Sequence, residues 1–119
     1  MKIERIGNAK VIMQNLDNIH NYFAWPSAAK LRDGRIAVVA SGYRLAHICP
    51  FGKTVISYSD DEGETWSEPV CIDGSCNHGD MGYPSTIELD DGSLLTVYYQ
   101  KMQGREKTGI YYTKWRLEL

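Results

Sequence analysis

Two stretches of this chain repeat each other. Trp25-Pro26-Ser27-Ala28-Ala29-Lys30-Leu31-Arg32-Asp33-Gly34-Arg35-Ile36 matches Tyr83-Pro84-Ser85-Thr86-Ile87-Glu88-Leu89-Asp90-Asp91-Gly92-Ser93-Leu94 at an offset of 58, with Pro, Ser, Leu, Asp and Gly shared in register. A weaker echo sets Val55-Ile56-Ser57-Tyr58-Ser59 against Gly109-Ile110-Tyr111-Tyr112-Thr113 at an offset of 54. Each unit is therefore about 55 residues long, and a repeat of that size dictates architecture before any element is assigned, because each unit buries its apolar face against the next. A chain of 119 residues holds two such units.

Every unit reads as β. The Asp-Gly pairs at 33–34 and 91–92 are hairpin signals, and the runs that follow them are rich in Val, Ile, Leu and Tyr. No stretch carries a sustained 3.6-residue apolar period, so no helix is expected. In Ile36-Ala37-Val38-Val39-Ala40 and Leu94-Leu95-Thr96-Val97-Tyr98-Tyr99 both faces are apolar, which predicts strands covered on both sides. The spacing places first-unit strands near 26–32, 35–41, 53–59 and 67–72, and second-unit strands near 84–90, 93–100 and 108–116. The second unit is one strand short, while residues 3–13, with Ile3, Ile6, Val11, Ile12 and Met13, form an orphan strand ahead of the first. The expectation is two four-stranded sheets. A single eight-stranded sandwich is the alternative, and it leaves the repeat unexplained.

Composition narrows the partners. With 13 basic against 15 acidic side chains the net charge is −2, which leaves no electrostatic footprint for nucleic acid. No apolar run approaches the roughly 18 residues of a membrane span, and the N-terminus lacks the apolar core of a secretory signal, so a cytoplasmic location is expected. Cys49, Cys71 and Cys76 are too few and too odd in number for a disulfide framework, and Cys71 reads as a core strand residue. His47, Cys49, Cys76 and His78 lack zinc-ligand spacing, so neither a metal nor another cofactor is expected.

Between the third and fourth strands lies Ser59-Asp60-Asp61-Glu62-Gly63-Glu64-Thr65-Trp66. In such a turn Asp61 can accept backbone and hydroxyl hydrogen bonds, Gly63 can take a left-handed conformation, and Trp66 supplies an apolar anchor. Its spacing does not match a calcium loop, and acidic residues crowded on one turn are a solvated face. Through Ser59, Asp61, Gly63, Thr65 and Trp66 the octet resembles the BNR/Asp-box repeat of the sialidase (neuraminidase) superfamily, whose members carry it on successive blades of a six-bladed β-propeller. The likeness extends to the unit-opening phrases from Trp25 to Gly34 and from Tyr83 to Gly92; the second unit has Thr113-Lys114-Trp115 in place of a box. It implies an all-β chain of two four-stranded propeller blades, 19–75 with the box and 76–119 without, in which the box marks the fold and leaves chemistry open.

Alternating strand directions put the loops between second and third strands, and those leading into first strands, on one end of the blades. His20, His47 and His78 fall there, with Trp25, Tyr43, Arg44, Asp80, Tyr83 and Arg105, a mixture of aromatic and hydrogen-bonding groups suited to a sugar. The family resemblance implies a Tyr nucleophile activated by Glu, an Asp acid/base and three arginines on the sugar carboxylate. Tyr83 matches the position of that Tyr, with Pro84 intervening; Asp80 and Arg44 are candidates by location; and Ala24 stands where the first arginine belongs, which removes an anion clamp.

Two blades cannot close a propeller and leave apolar faces outside. Three copies give six blades, and residues 3–13 are placed to complete the second blade of a neighbour, so a homotrimer with strand exchange is expected. The alternative is a remnant of a longer propeller with only a structural role. A threefold ring of two blade types cannot reproduce an asymmetric sialidase pocket. The expected function is thus a sialidase-like glycan-binding propeller with little or no hydrolysis; a glycoside hydrolase using Tyr83 with Arg44 and Asp80 is the alternative.

Overall fold

The computed structural model describes residues 1–47, 49–74, 81–101 and 106–118. Seven strands run in order: β1 (Tyr22–Lys30), β2 (Ile36–Arg44), β3 (Lys53–Ser59), β4 (Val70–Asp73), β5 (Met81–Glu88), β6 (Leu94–Gln100) and β7 (Gly109–Trp115). They form two antiparallel sheets in simple meander order, β1-β2-β3-β4 (sheet A) and β5-β6-β7 (sheet B). The chain is all-β, with no helix among the described residues. Strand β1 begins earlier than its sequence suggests, because irregularities between Tyr22 and Ala24 and between Ala24 and Ser27 let it absorb an aromatic stretch without losing its pairing to β2. Strand β4 starts later than expected. Ser67 is instead tied to Tyr58, backbone to backbone at 2.9 Å and through its hydroxyl at 2.9 Å, and Pro69 offers no N–H to a ladder. Cys71, expected in the core, is exposed on this edge strand.

The repeat survives as geometry. In the β1–β2 turn Leu31 N–H donates to Arg35 O at 2.8 Å and Gly34 N–H to Leu31 O at 3.0 Å; in the β5–β6 turn Leu89 and Gly92 make the same two bonds at 2.8 and 2.9 Å. Both glycines are left-handed, at φ 93 and 82, which a Cβ would strain. Asp33 and Asp91 each accept from the backbone N–H two residues on, at 3.0 and 2.9 Å. The weaker echo needs correcting. Val39 pairs with Ile56 and Val97 with Tyr112, so the third strands are related by an offset of 56 and not 54. A two-residue slip keeps every side chain on its face, which is why matching residue types alone did not detect it.

The sheets pack through Ala37, Val39 and Ile56 of sheet A, with Ile72 and Trp115 against them. The Trp115 indole N–H donates to Thr96 Oγ1 at 2.8 Å, and Thr96 also pairs with Thr86 at 2.7 Å. Tyr98 Oη donates to Asp73 Oδ2 at 2.5 Å, a bond from sheet B to sheet A. The two hairpin turns lie side by side: Arg32 Nε meets Glu88 Oε1 at 2.6 Å, and its other nitrogens reach the carbonyls of Leu89 and Asp90. Strand β2 is covered on both faces, as its sequence predicts, but β6 is not. Leu94, Thr96 and Tyr98 are buried, whereas Val97 on the other face is exposed.

Residues 3–13 form no strand within one chain. Lys10–Met13 instead lie over the outer face of sheet A, beside Phe23, Pro26 and Val38, and Lys10 pairs with Glu64 at 3.4 Å.

Candidate functional site

The pairing of Tyr22 with Arg44 and of Met81 with Gln100 gathers the starts of β1 and β5 and the ends of β2 and β6 at one end of the sheets. The hairpin turns and the octet lie at the other. At the loop end, Trp25 and Tyr83 occupy equivalent positions, each inside the irregular stretch of its strand, between Ala24 and Ser27 and between Gly82 and Ser85. Both are left-handed, at φ 56 and 52, and both precede a proline. Bulky residues rarely adopt this backbone, and each such position costs of order 1–3 kcal/mol, so the surrounding structure must hold it.

The strained positions display an aromatic platform. Trp25 and Tyr83 rings lie 5.5 Å apart, Tyr83 stacks on Tyr99 at 5.5 Å with 30° between planes, and His47 stands edge-on to Trp25 at 5.0 Å. The Tyr22 ring lies 6.4 Å from that of Trp25, tilted by 55°. A Cβ on Gly82 would sit 3.0 Å from the Trp25 ring, so the glycine allows the indole to lie flat on β5. Tyr83 remains 63% exposed, which leaves the platform open to solvent.

Arg44, a catalytic candidate by location, does not face solvent at this end of the sheets. It is fully buried; its Nη1 donates to Ser41 Oγ at 2.8 Å, its Nη2 to His47 O at 2.7 Å, and its guanidinium lies over the Trp25 ring at 5.2 Å. A planar guanidinium can stack and donate in its plane at once, and here it fixes both the backbone at Ala46 and His47 and the indole. Arg44 is therefore a positioning residue.

A second groove of about 450 Å³ lies nearby, lined by Asn15, Asn18, His20, Tyr43, Phe51 and Lys53 among others. Asn18 Oδ1 accepts from the His20 backbone N–H at 2.9 Å and lies 3.2 Å from its Nδ1, while the imidazole stands edge-on to Phe51 at 5.6 Å. Tyr43 is left-handed as well, at φ 54, between Phe23 at 5.0 Å and the Lys53 ammonium at 5.8 Å.

Of the residues singled out from sequence, the fold brings Trp25, His47 and Tyr83 together and sends His20 and Tyr43 to the second groove. Asp80, His78 and Arg105 lie outside the described residues. Among the described residues, no carboxylate is hydrogen-bonded to the Tyr83 hydroxyl. Sequence reasoning missed Tyr99, Phe51 and Lys53. The alternation of β6, which sets residues 95, 97 and 99 on one face, was the signal that could have found Tyr99.

The octet is closed on itself. Ser59 Oγ donates to Asp61 Oδ1 at 2.8 Å and accepts from Gly63 N–H at 2.8 Å; Thr65 donates to Asp61 through its hydroxyl and through its backbone N–H at 2.9 Å; and the Trp66 indole donates to Gly63 O at 3.2 Å. The Thr65 hydroxyl and N–H, then the Ser59 hydroxyl, hold the Asp61 carboxyl down at about 2.

No family model matches this chain, and no curated protein matches it. A solved structure from Dyadobacter fermentans DSM 18053, described as a protein of unknown function, superposes with a TM-score of 0.61 at 26% identity over 81% of this chain. This chain spans only 28% of that structure's length.

Proposed function

We propose that this chain is a two-blade unit of a sialidase-like β-propeller that binds carbohydrate at the loop end and hydrolyses it weakly or not at all. In this reading each sheet is a blade, six blades surround an axis in a homotrimer, and residues 3–13 complete sheet B of a neighbouring copy. The observation that carries the binding function is the Trp25–Tyr83–Tyr99 platform, displayed by two left-handed residues. The C–H face of a pyranose is apolar and slightly positive, which matches the negative face of an aromatic ring, while nearby hydrogen-bonding side chains fix orientation. Two features favour binding over turnover: Arg44 is committed to the loop and to Trp25, and among the described residues no glutamate is hydrogen-bonded to the Tyr83 hydroxyl.

Titration with sialyllactose, followed by tryptophan fluorescence and calorimetry, tests this reading. Saturable binding that weakens at least tenfold in Trp25→Ala supports it, and no binding to any glycan on an array refutes it. Release of fluorophore from a fluorogenic sialoside, abolished in Tyr83→Phe, would establish the hydrolase alternative.

A further inference from the structure

The two outer faces of the chain are the repeat images of its two buried inner faces. Sheet A meets sheet B through Ala37, Val39 and Ile56. The register places Leu95, Val97 and Tyr112 at the corresponding positions of sheet B, but these point away from sheet A, and Val97 is 38% and Tyr112 66% exposed. The reverse relation holds for the first strands. Pro84 and Thr86 of β5 are buried, whereas their images on β1, Pro26 and Ala28, are exposed. Each half of the inter-sheet contact thus occurs twice, once against the other sheet and once on an outer face, that of sheet A being partly overlain by Lys10–Met13.

Charge obeys the same relation. Arg32 of the first turn pairs with Glu88 at the end of β5. The residue in the place of Arg32 in the second unit is Asp90, and the residue in the place of Glu88 in the first is Lys30. The pair recurs with its signs exchanged and still complementary, and both residues are exposed on the two open sides of the chain. The receiving side also holds an apolar groove of about 350 Å³ between Lys10–Met13 and Phe23, Pro26, Val38 and Ala40.

We propose that the outer face of sheet B docks onto the outer face of sheet A of a second copy of this chain, repeating the relation that joins the two sheets within one copy, with Val97 and Tyr112 entering the apolar groove and Asp90 meeting the partner's Lys30. Such a contact joins unlike surfaces, so it propagates from copy to copy, and it makes a ring where the rotation closes and an open filament where it does not. That the ring holds three copies rests on the six-bladed reading above. Docking also brings the partner's residues 3–13 beside the outer edge of β7, which pairs with no other strand among the described residues and leaves sheet B one short of sheet A.

Light scattering on the eluting chain is the test. The expected mass is three times 13.5 kDa, falling to 13.5 kDa in Val97→Glu. Because that substitution risks the fold, the charge exchange provides an independent arm. Lys30→Asp and Asp90→Lys alone each raise the concentration at which the ring dissociates about twofold to fivefold, and the double variant restores it. A wild-type mass of 13.5 kDa at every concentration, or a ring indifferent to both Val97→Glu and the charge exchange, overturns the docking. A ring of another number that Val97→Glu breaks supports the docking and overturns six blades, and a ring that ignores every glycan supports the docking and removes only the binding function.

Discussion

Trp25 and Tyr83, equivalent residues 58 positions apart, both hold a left-handed backbone ahead of a proline, and their rings meet at 5.5 Å. Two instances of the same uncommon conformation at the same place in a repeat are a property of the unit. Each sits where the pairing of a first strand with its neighbour becomes irregular; the Trp25 ring reaches across to Gly82 of the adjacent sheet, and the Tyr83 ring stacks on Tyr99 of its own.

The backbone strain at Tyr83 can be separated from the loss of its ring by comparing two truncations. Tyr83→Gly and Tyr83→Val both remove the contacts to Trp25 and Tyr99, but only valine must hold a β-branched Cβ at φ 52. The glycine variant is expected to be more stable than the valine variant by about 1–2 kcal/mol in urea denaturation. Equal stabilities would mean that the left-handed backbone at Tyr83 carries no strain.

Arg44 and Gly52 are expected to act as one unit. A Cβ on Gly52 would lie 2.4 Å from Arg44 Nη1, so Gly52→Ala must displace the buried guanidinium and should cost about 1–3 kcal/mol. Arg44→Met leaves Ser41 Oγ and the His47 carbonyl without their donor and should cost about 2–4 kcal/mol. In the double variant the steric conflict is gone, so the costs should fall short of additive by at least about 0.5 kcal/mol. Additive costs in a double-mutant cycle would show that the two sites do not communicate.

How much of this was legible in the sequence follows from what each feature depends on. The hairpins at Asp33-Gly34 and Asp91-Gly92 and the octet around Asp61 are local, set by turn chemistry within a few residues, and the structure matches their expected form. Seven of the eight expected strands form, each beside such a turn or within a run rich in Val, Ile and Tyr. The burial of Arg44 was not legible, because it depends on a loop folding back over Ser41 and on the position of Trp25, neither of which has a sequence period. Tyr99 joined the site only through the register of β6 against β5, where it stands opposite Gly82. Residues 3–13 carry a strand-like pattern with no strand to pair with in their own chain, and a pattern without a partner does not make a ladder.

Acid should reveal Asp61. Its folded carboxyl is held at about 2, below the ordinary value of 3.8, so its contribution to stability is complete above pH 4 and is lost as the pH falls through 2. Asp61→Asn keeps the shape of the side chain and removes the charge. The stability difference between wild type and Asp61→Asn, measured by thermal melting, is therefore expected to be constant from pH 7 to 4 and to shrink between pH 4 and 2. A difference independent of pH over that interval would remove the charged carboxylate from the octet's role.

Alkali should reveal the bond between the sheets. Tyr98 is buried at the junction of the two, and its hydroxyl bonds Asp73 of β4 and Thr113 of β7. Burial, followed by the adjacent Asp73 carboxylate, disfavours the phenolate and pushes Tyr98 up to about 12 from an ordinary 10. A raised folded value means that the unfolded chain loses its proton first. The contribution of Tyr98 is then fully present below pH 10 and declines as the pH rises from 10 through 12. Lysines and other tyrosines titrate in the same range, so the informative quantity is again a difference. Tyr98→Phe retains the ring and lacks the hydroxyl, leaving Asp73 without this donor, and should cost about 2 kcal/mol near neutrality. Between pH 10 and 12 the wild type should lose that advantage while the variant keeps its own profile, and the two melting curves should converge. Because Tyr98 and Asp73 belong to different sheets, the convergence should coincide with greater hydrogen exchange along β4 and β6, where a purely local role for the hydroxyl would leave β4 unchanged.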